Sequence, residues 1–260
     1  MRQFVRVFLG MAMAATMTLG ATAQAGPRMD RILENKVLRV GTPGDYRPFA
    51  IKAEKGGFEG HDIDVIEAMA QALGVKVEYV QTSWPNLMGD LQADKFDVAV
   101  GGITRNVARI SKVEMLPGYA PFGKVALARK DEAAKYKSVD DLNQPSVRVI
   151  KNPGGTNEIF VLENLKQAQV STHEKNAEIP ALIAEGKGDI MITETYEALH
   201  YSKADPRLAA VFVENTLTPK NELGFMLPVD DADFVRTMQF AWDLVEERDV
   251  LDDAEERWLK

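Results

Sequence analysis

Strand-like and helix-like segments alternate along this chain, and that alternation constrains the fold more than any other feature of the sequence. Val37-Leu38-Arg39-Val40-Gly41 reads as a strand ending in the turn Thr42-Pro43-Gly44-Asp45. Ile63, Ile66, Met69, Ala70 and Leu73 share one face of a helix predicted over 62–73, with an Asp to cap its start and Gly74 to stop it. Residues 75–80 alternate as a strand, 84–93 read as a helix, and Phe96-Asp97-Val98-Ala99-Val100 as a buried strand running into Gly101-Gly102. The plan recurs with strands at 148–150 and 189–192, helices near 158–167 and 179–185, and a helical close over 231–259. This order predicts an α/β fold of parallel sheets covered by helices. Two halves with one plan predict two lobes and a cleft, with ligand beyond the carboxyl ends of the strands.

The first residues stand outside this pattern. Arg2 and Arg6 precede an apolar run from Val7 to about Ala21, and Ala23-Gln24-Ala25 has the small-x-small form of a cleavage site. This reads as a secretory signal peptide, residues 1–25, cut after Ala25. The run is short for a spanning helix and is broken by Gly10, Thr16, Thr18 and Gly20. Without Arg2 and Arg6 the exported chain carries about ten more acidic than basic residues. An acidic chain with no basic run does not suit nucleic acid or an anionic membrane surface. There is no cysteine, so an exported fold must rest on its core alone. That absence and three scattered histidines, His61, His173 and His200, leave no convincing zinc site or thiol nucleophile.

The candidate site residues all fall just after strands. Tyr46 and Phe49 either line the cleft or pack under a turn. Trp84, directly before Pro85, suits a helix start and could cover a flat substrate; the alternative is a core position. Gly101-Gly102-Ile103-Thr104 with Arg109 offers free N–H groups, a hydroxyl and a guanidinium, the parts of a carboxylate clamp. Arg105 rivals Arg109, and either could be a surface arginine. Asn152-Pro153-Gly154-Gly155-Thr156-Asn157-Glu158 is a glycine-rich strand-to-helix turn, suited to an anion. Thr156 and Asn157 offer donors there. Apolar Ile159, Phe160, Leu162 and Leu165 follow on the helix. Glu158 either stabilises the first helical turn or points into an anion pocket, where it would hold its proton and could act as a general acid. Glu194 could accept an ammonium or cap the next helix.

Taken in order, these motifs resemble the family of periplasmic solute-binding proteins that serve polar amino-acid transporters. The resemblance covers essentially all of the chain after residue 25. It is carried by Leu38-Arg39-Val40-Gly41, residues 60–64, Phe96-Asp97-Val98-Ala99, Thr104 with Arg109, and the strand near Asp189. It implies a periplasmic protein with a type II two-lobed fold, each lobe a mostly parallel sheet flanked by helices. Residues 26–126 and 224–260 would form one lobe and 127–223 the other, with hinges near 125–129 and 223–227.

Gly44-Asp45-Tyr46 with Pro48-Phe49, the block 82–88 and above all the block 152–158 resemble an enzymatic branch of that family. Its members convert prephenate to phenylpyruvate and arogenate to phenylalanine, with no metal or organic cofactor. The resemblance implies that Glu158 is the general acid, that Arg109 fixes a substrate carboxylate and that Trp84 packs on the ring. The chain departs from that branch in four places: Glu194 replaces an aspartate, Thr104 a serine and Arg105 a non-basic residue, and the sequence before Gly123-Lys124 differs, which leaves open whether Arg105 or Lys124 enters the cleft. The competing expectation is a receptor that passes an amino acid or small carboxylate to an ABC transporter permease, with Arg109 on the carboxylate and Glu194 on the ammonium.

Overall fold

The structure, a computed structural model, describes residues 26–260; the expected signal segment lies outside the described residues. Two five-stranded sheets organise the chain. In the first the spatial order is Lys76–Gln81, Val37–Thr42, Val98–Ala99, Met226–Leu227 and Glu114–Met115. The first three run parallel, with Val37 opposite Lys76 and Val40 opposite Val98. Met226–Leu227 enters antiparallel, with Met226 opposite both Ala99 and Met115. In the second the order is Gln169–Thr172, Arg148–Lys151, Ile190–Glu194, Lys124–Arg129 and Leu208–Val211. Here too three strands are parallel, and Lys124–Arg129 is antiparallel to both neighbours.

Side-chain alternation explains why both faces of each sheet are covered. Along Lys124–Arg129, Val125 and Leu127 join one apolar cluster with Ile150, Ile179 and Met191. Ala126 and Ala128 face the other way, toward Val149, Val161 and Leu165. In the first lobe Phe234, Met238 and Trp242 lie on one face of the helix Ala232–Glu247 and pack with Ile63, Ile66 and Met69 of the helix His61–Ala72. Each such side chain, fully buried, contributes about 1.5–3 kcal/mol.

Several local expectations shift. The helix His61–Ala72 starts at Gly60 without a side-chain cap, and Asp62 is instead buried. The helix expected over 84–93 is shorter, Leu87–Gln92, so Trp84 sits in the turn before it. The closing segment is two helices, Ala232–Glu247 and Val250–Trp258, broken where Asp249 takes a left-handed φ of 59°. The helix Thr156–Asn164 buries Phe160 and Val161, with Leu165 just beyond it, while Ile159 and Leu162 are more than half exposed.

The hinge expectation also moves. The chain leaves the first sheet through Tyr119–Phe122 and returns through Asn221–Leu223, and these two segments pair antiparallel. Lys124–Arg129 is an unbroken strand inside the second sheet, so a boundary at 126/127 would cut it. The apolar run at 125–128 is buried on both faces, as a central strand of the second sheet is.

Candidate functional site between the lobes

The carboxyl ends of both sets of parallel strands converge on one cavity. Tyr46, Trp84, Gly102, Thr104 and Arg109 border it from the first lobe, and Thr156, Asn157 and Glu194 from the second. Asn152, Gly155 and Asn176 complete the wall. The lobes meet here: Thr104 Oγ1 lies 3.3 Å from Thr156 Oγ1, and Asn176 Nδ2 donates to the Asp45 carbonyl at 3.3 Å. The cavity is about 20 Å³, room for a water. Beyond Trp84, which lines both, an outer cavity of about 520 Å³ opens between Asp45, Gln81 and Thr82 on one side and Pro153 and Lys175 on the other.

Tyr46 stacks on Phe49 at 5.7 Å and meets Trp84 edge-on at 5.8 Å. Phe49 itself is fully buried and takes the packing alternative. Trp84 Nε1 donates to Asp45 Oδ1 at 2.9 Å.

The glycine loop is not the free donor array expected. Gly101 N and Gly102 N both donate to Asp62 Oδ2 at 2.8 Å. Tyr119, on the crossing segment, donates its hydroxyl to Asp62 Oδ1 at 2.6 Å. Gly102 has φ +71°, and a Cβ there would meet the Tyr46 ring at 2.5 Å, so only glycine fits.

Arg109 sits on the short helix Val107–Ile110, whose N-cap Asn106 accepts the Arg109 backbone N–H at 2.9 Å. Its Nη1 donates to the Thr104 carbonyl at 2.6 Å. Burial draws its pKa down to about 10, still a cation at neutral pH. Among the described residues no carboxylate pairs with it. Arg105, the rival, is absent from the cavity wall and pairs with Glu222 at 2.8 Å.

In the second lobe Gly154 packs against the first: a Cβ there would lie 2.4 Å from Pro85 N. Thr156 and Asn157 meet a cation rather than an anion. Lys124 Nζ reaches Thr156 Oγ1 at 2.7 Å, Asn157 Oδ1 at 2.5 Å and Glu194 Oε1 at 2.5 Å. Glu194, expected after its strand, is the strand's last residue and also the N-cap of the helix Thr195–Ala204, without a side-chain capping bond.

Glu158 departs most from expectation. It does not line the cavity; it pairs with Lys151 and accepts the Gly154 N–H at 2.7 Å. Those two contacts, the Lys151 bond first, hold its pKa below the usual glutamate value. In this geometry both contacts favour its ionised form, and Glu158 braces the loop. Burial raises two other carboxyls, Glu194 on the wall and Glu197, which is fully buried on the helix that follows Glu194 and, like Glu158, is not itself a wall residue. Burial pushes the Glu197 pKa up to about 8, against hydrogen bonds from Thr193 Oγ1 and from Asn176 Nδ2, the latter 2.6 Å from Oε1. Asp45 is likewise raised by burial, opposed first by the Trp84 bond. Whether Lys124 enters the cleft stood open in the sequence, and Glu197 and Asn176 were missed because an isolated glutamate or asparagine carries no spacing signal. Among the described residues no cluster of three or more His, Asp or Glu side chains could hold a metal.

Comparison with known proteins places this geometry. The profile of the bacterial extracellular solute-binding proteins, family 3, matches residues 38–260. The chain is 38% identical over 259 residues to cyclohexadienyl dehydratase of Pseudomonas aeruginosa, covering 100% of this chain and 95% of that one. It superposes on an ancestral amino acid-binding protein, a precursor of cyclohexadienyl dehydratase, with TM-score 0.83 and 35% identity over 90% of this chain and all of the other. An ancestral cyclohexadienyl dehydratase is 47% identical, with TM-score 0.55, over 91% and 97% of the two chains. The chain belongs to the family 3 solute-binding proteins and has their two-lobed fold.

Proposed function

We propose that this family 3 protein is a periplasmic cyclohexadienyl dehydratase, converting prephenate to phenylpyruvate. The observation that carries the reading is the placement of Glu197, a buried carboxyl bonded at 2.6 Å to the wall residue Asn176, with its pKa pushed up to about 8 by burial. The 38% identity to a dehydratase over the whole chain supports it.

Prephenate carries a carboxylate and a hydroxyl at opposite ends of a cyclohexadiene. The bond to the ring carboxylate breaks, CO2 leaves, and its electron pair enters the ring. The C–O bond at the far end breaks as the ring becomes aromatic. Hydroxide is a poor leaving group, and one proton from Glu197 converts it to water. Substrate plus one proton thus gives phenylpyruvate, CO2 and water, and solvent reprotonates Glu197. In this reading the lobes part to admit the ring, Glu197 meets the hydroxyl beside Asn176, Arg109 fixes a carboxylate and Trp84 packs on the ring.

The test is turnover of prephenate by the purified protein, followed as phenylpyruvate absorbance in alkali, beside Glu197→Gln and Glu158→Gln. Loss in Glu197→Gln alone supports the assignment. Loss in Glu158→Gln alone returns the acid to the loop. No turnover from folded wild type favours a receptor feeding an ABC transporter permease, a reading supported by the 35% identity to an ancestral amino acid-binding protein.

A further inference from the structure

We propose that Lys124 acts as a built-in ammonium for Glu194, so that the cavity selects a 2-keto acid side chain over the matching 2-amino acid. This rests on the dehydratase reading, in which prephenate and phenylpyruvate carry the ketone, and arogenate and phenylalanine an ammonium in its place.

A ligand ammonium needs an anion whose charge is not already matched. Among the described wall residues Glu194 is the one carboxylate. Lys124 donates to it and to Thr156 and Asn157, so three acceptors meet the three N–H donors an ammonium has. Both side chains are almost fully enclosed, 7% and 5% exposed. Burial pushes the lysine down and the glutamate up, which favours passing the proton across. Whichever atom holds that proton, the pair is neutral overall.

The surrounding groups do not restore an anion. Glu197 is neutral at pH 7 and Arg109 is a cation. Asp45 borders the outer cavity, where Trp84 Nε1 takes its Oδ1. Glu194 Oε2 has lone pairs to offer, but with Arg109 matched by the ligand's own carboxylate, a ligand ammonium there would have to share one carboxylate with the proton already held by the Lys124 pair. A ketone brings no charge and can accept from the Thr104 or Thr156 hydroxyl. An uncompensated buried charge is costly, so the keto acid should win by at least about tenfold.

The probes are phenylpyruvate and L-phenylalanine, titrated calorimetrically into wild type, Lys124→Met and Glu194→Gln. In wild type phenylpyruvate binds at least about tenfold tighter. Lys124→Met frees Glu194 and narrows that ratio by about tenfold. Glu194→Gln leaves L-phenylalanine affinity within about threefold, because Glu194 never held its ammonium. Equal wild-type affinities, binding of neither ligand, or a collapse of L-phenylalanine binding in Glu194→Gln overturns the proposal. If Lys124→Met does not fold, the other two proteins still decide. Absence of prephenate turnover would sink the dehydratase reading while the binding ratio still reports selection.

Discussion

Glu197→Gln tests whether a neutral buried carboxyl stands beside this cleft. Gln has the shape of protonated Glu and does not titrate. In the unfolded chain Glu197 sheds its proton above the ordinary glutamate value of 4.5, whereas in the fold burial pushes its pKa up to about 8. Between these values the unfolded state binds fewer protons than the native one, so this group lowers stability as pH rises. Linkage gives a loss of just under 1 kcal/mol at pH 5 and about 4 kcal/mol at pH 7.5, relative to strong acid. The advantage of Glu197→Gln over wild type should therefore widen by about 3 kcal/mol between those pH values. Urea unfolding of both proteins across pH 5–7.5 reads that gap. A gap that does not change with pH would refute the neutral carboxyl and the proton store with it. In the same variant turnover should fall roughly 100- to 10,000-fold, the usual contribution of a general acid. A protein that gains stability and loses activity through one atom change has its strain at the site.

Three further outcomes follow from the geometry. Glu158→Gln should keep turnover within about tenfold and cost about 1 kcal/mol of stability, through the lost charge-assisted bond to Lys151. Its depressed pKa means that this stabilisation is present above the unfolded value near 4.5 and fades as pH falls below it, which acid titration of wild type against variant would register. Asp62→Ala orphans Gly101 N–H, Gly102 N–H and the Tyr119 hydroxyl, and chemical denaturation should show a loss of about 3 kcal/mol or more. Arg109→Lys keeps the charge but not the fork, and KM for a carboxylate substrate should rise about tenfold with the unfolding midpoint little changed.

How much of this was legible in the sequence depends on what generates each feature. The alternation of Val37–Thr42, His61–Ala72 and Lys76–Gln81 follows from local periodicity, which the chain carries in itself. Eight of the wall positions were legible because α/β folds put ligands at the carboxyl ends of strands, and these residues lie at a strand's end or in the turn or first helical turn beyond it. Glu158 stood open between first-turn stabiliser and acid because position in a first helical turn says nothing of the neighbour: Lys151, at the end of the preceding strand, pairs with it. Asp62 looked like a helix cap for the same reason, and its partners lie about 40 residues away.

By itself the sequence determined the class of fold, the two-lobed plan and the loops that face the cleft, since hydrophobic period and turn chemistry act over a few residues. Only the tertiary structure decided which acid keeps its proton. Glu158, Glu194 and Glu197 are the same side chain, and their surroundings differ because one pairs with a lysine near solvent, one with a buried lysine, and one is fully buried with hydroxyl and amide donors and no ion pair of its own. Desolvation and charge pairing are properties of the packed neighbourhood, and three-dimensional packing alone brings those neighbours together.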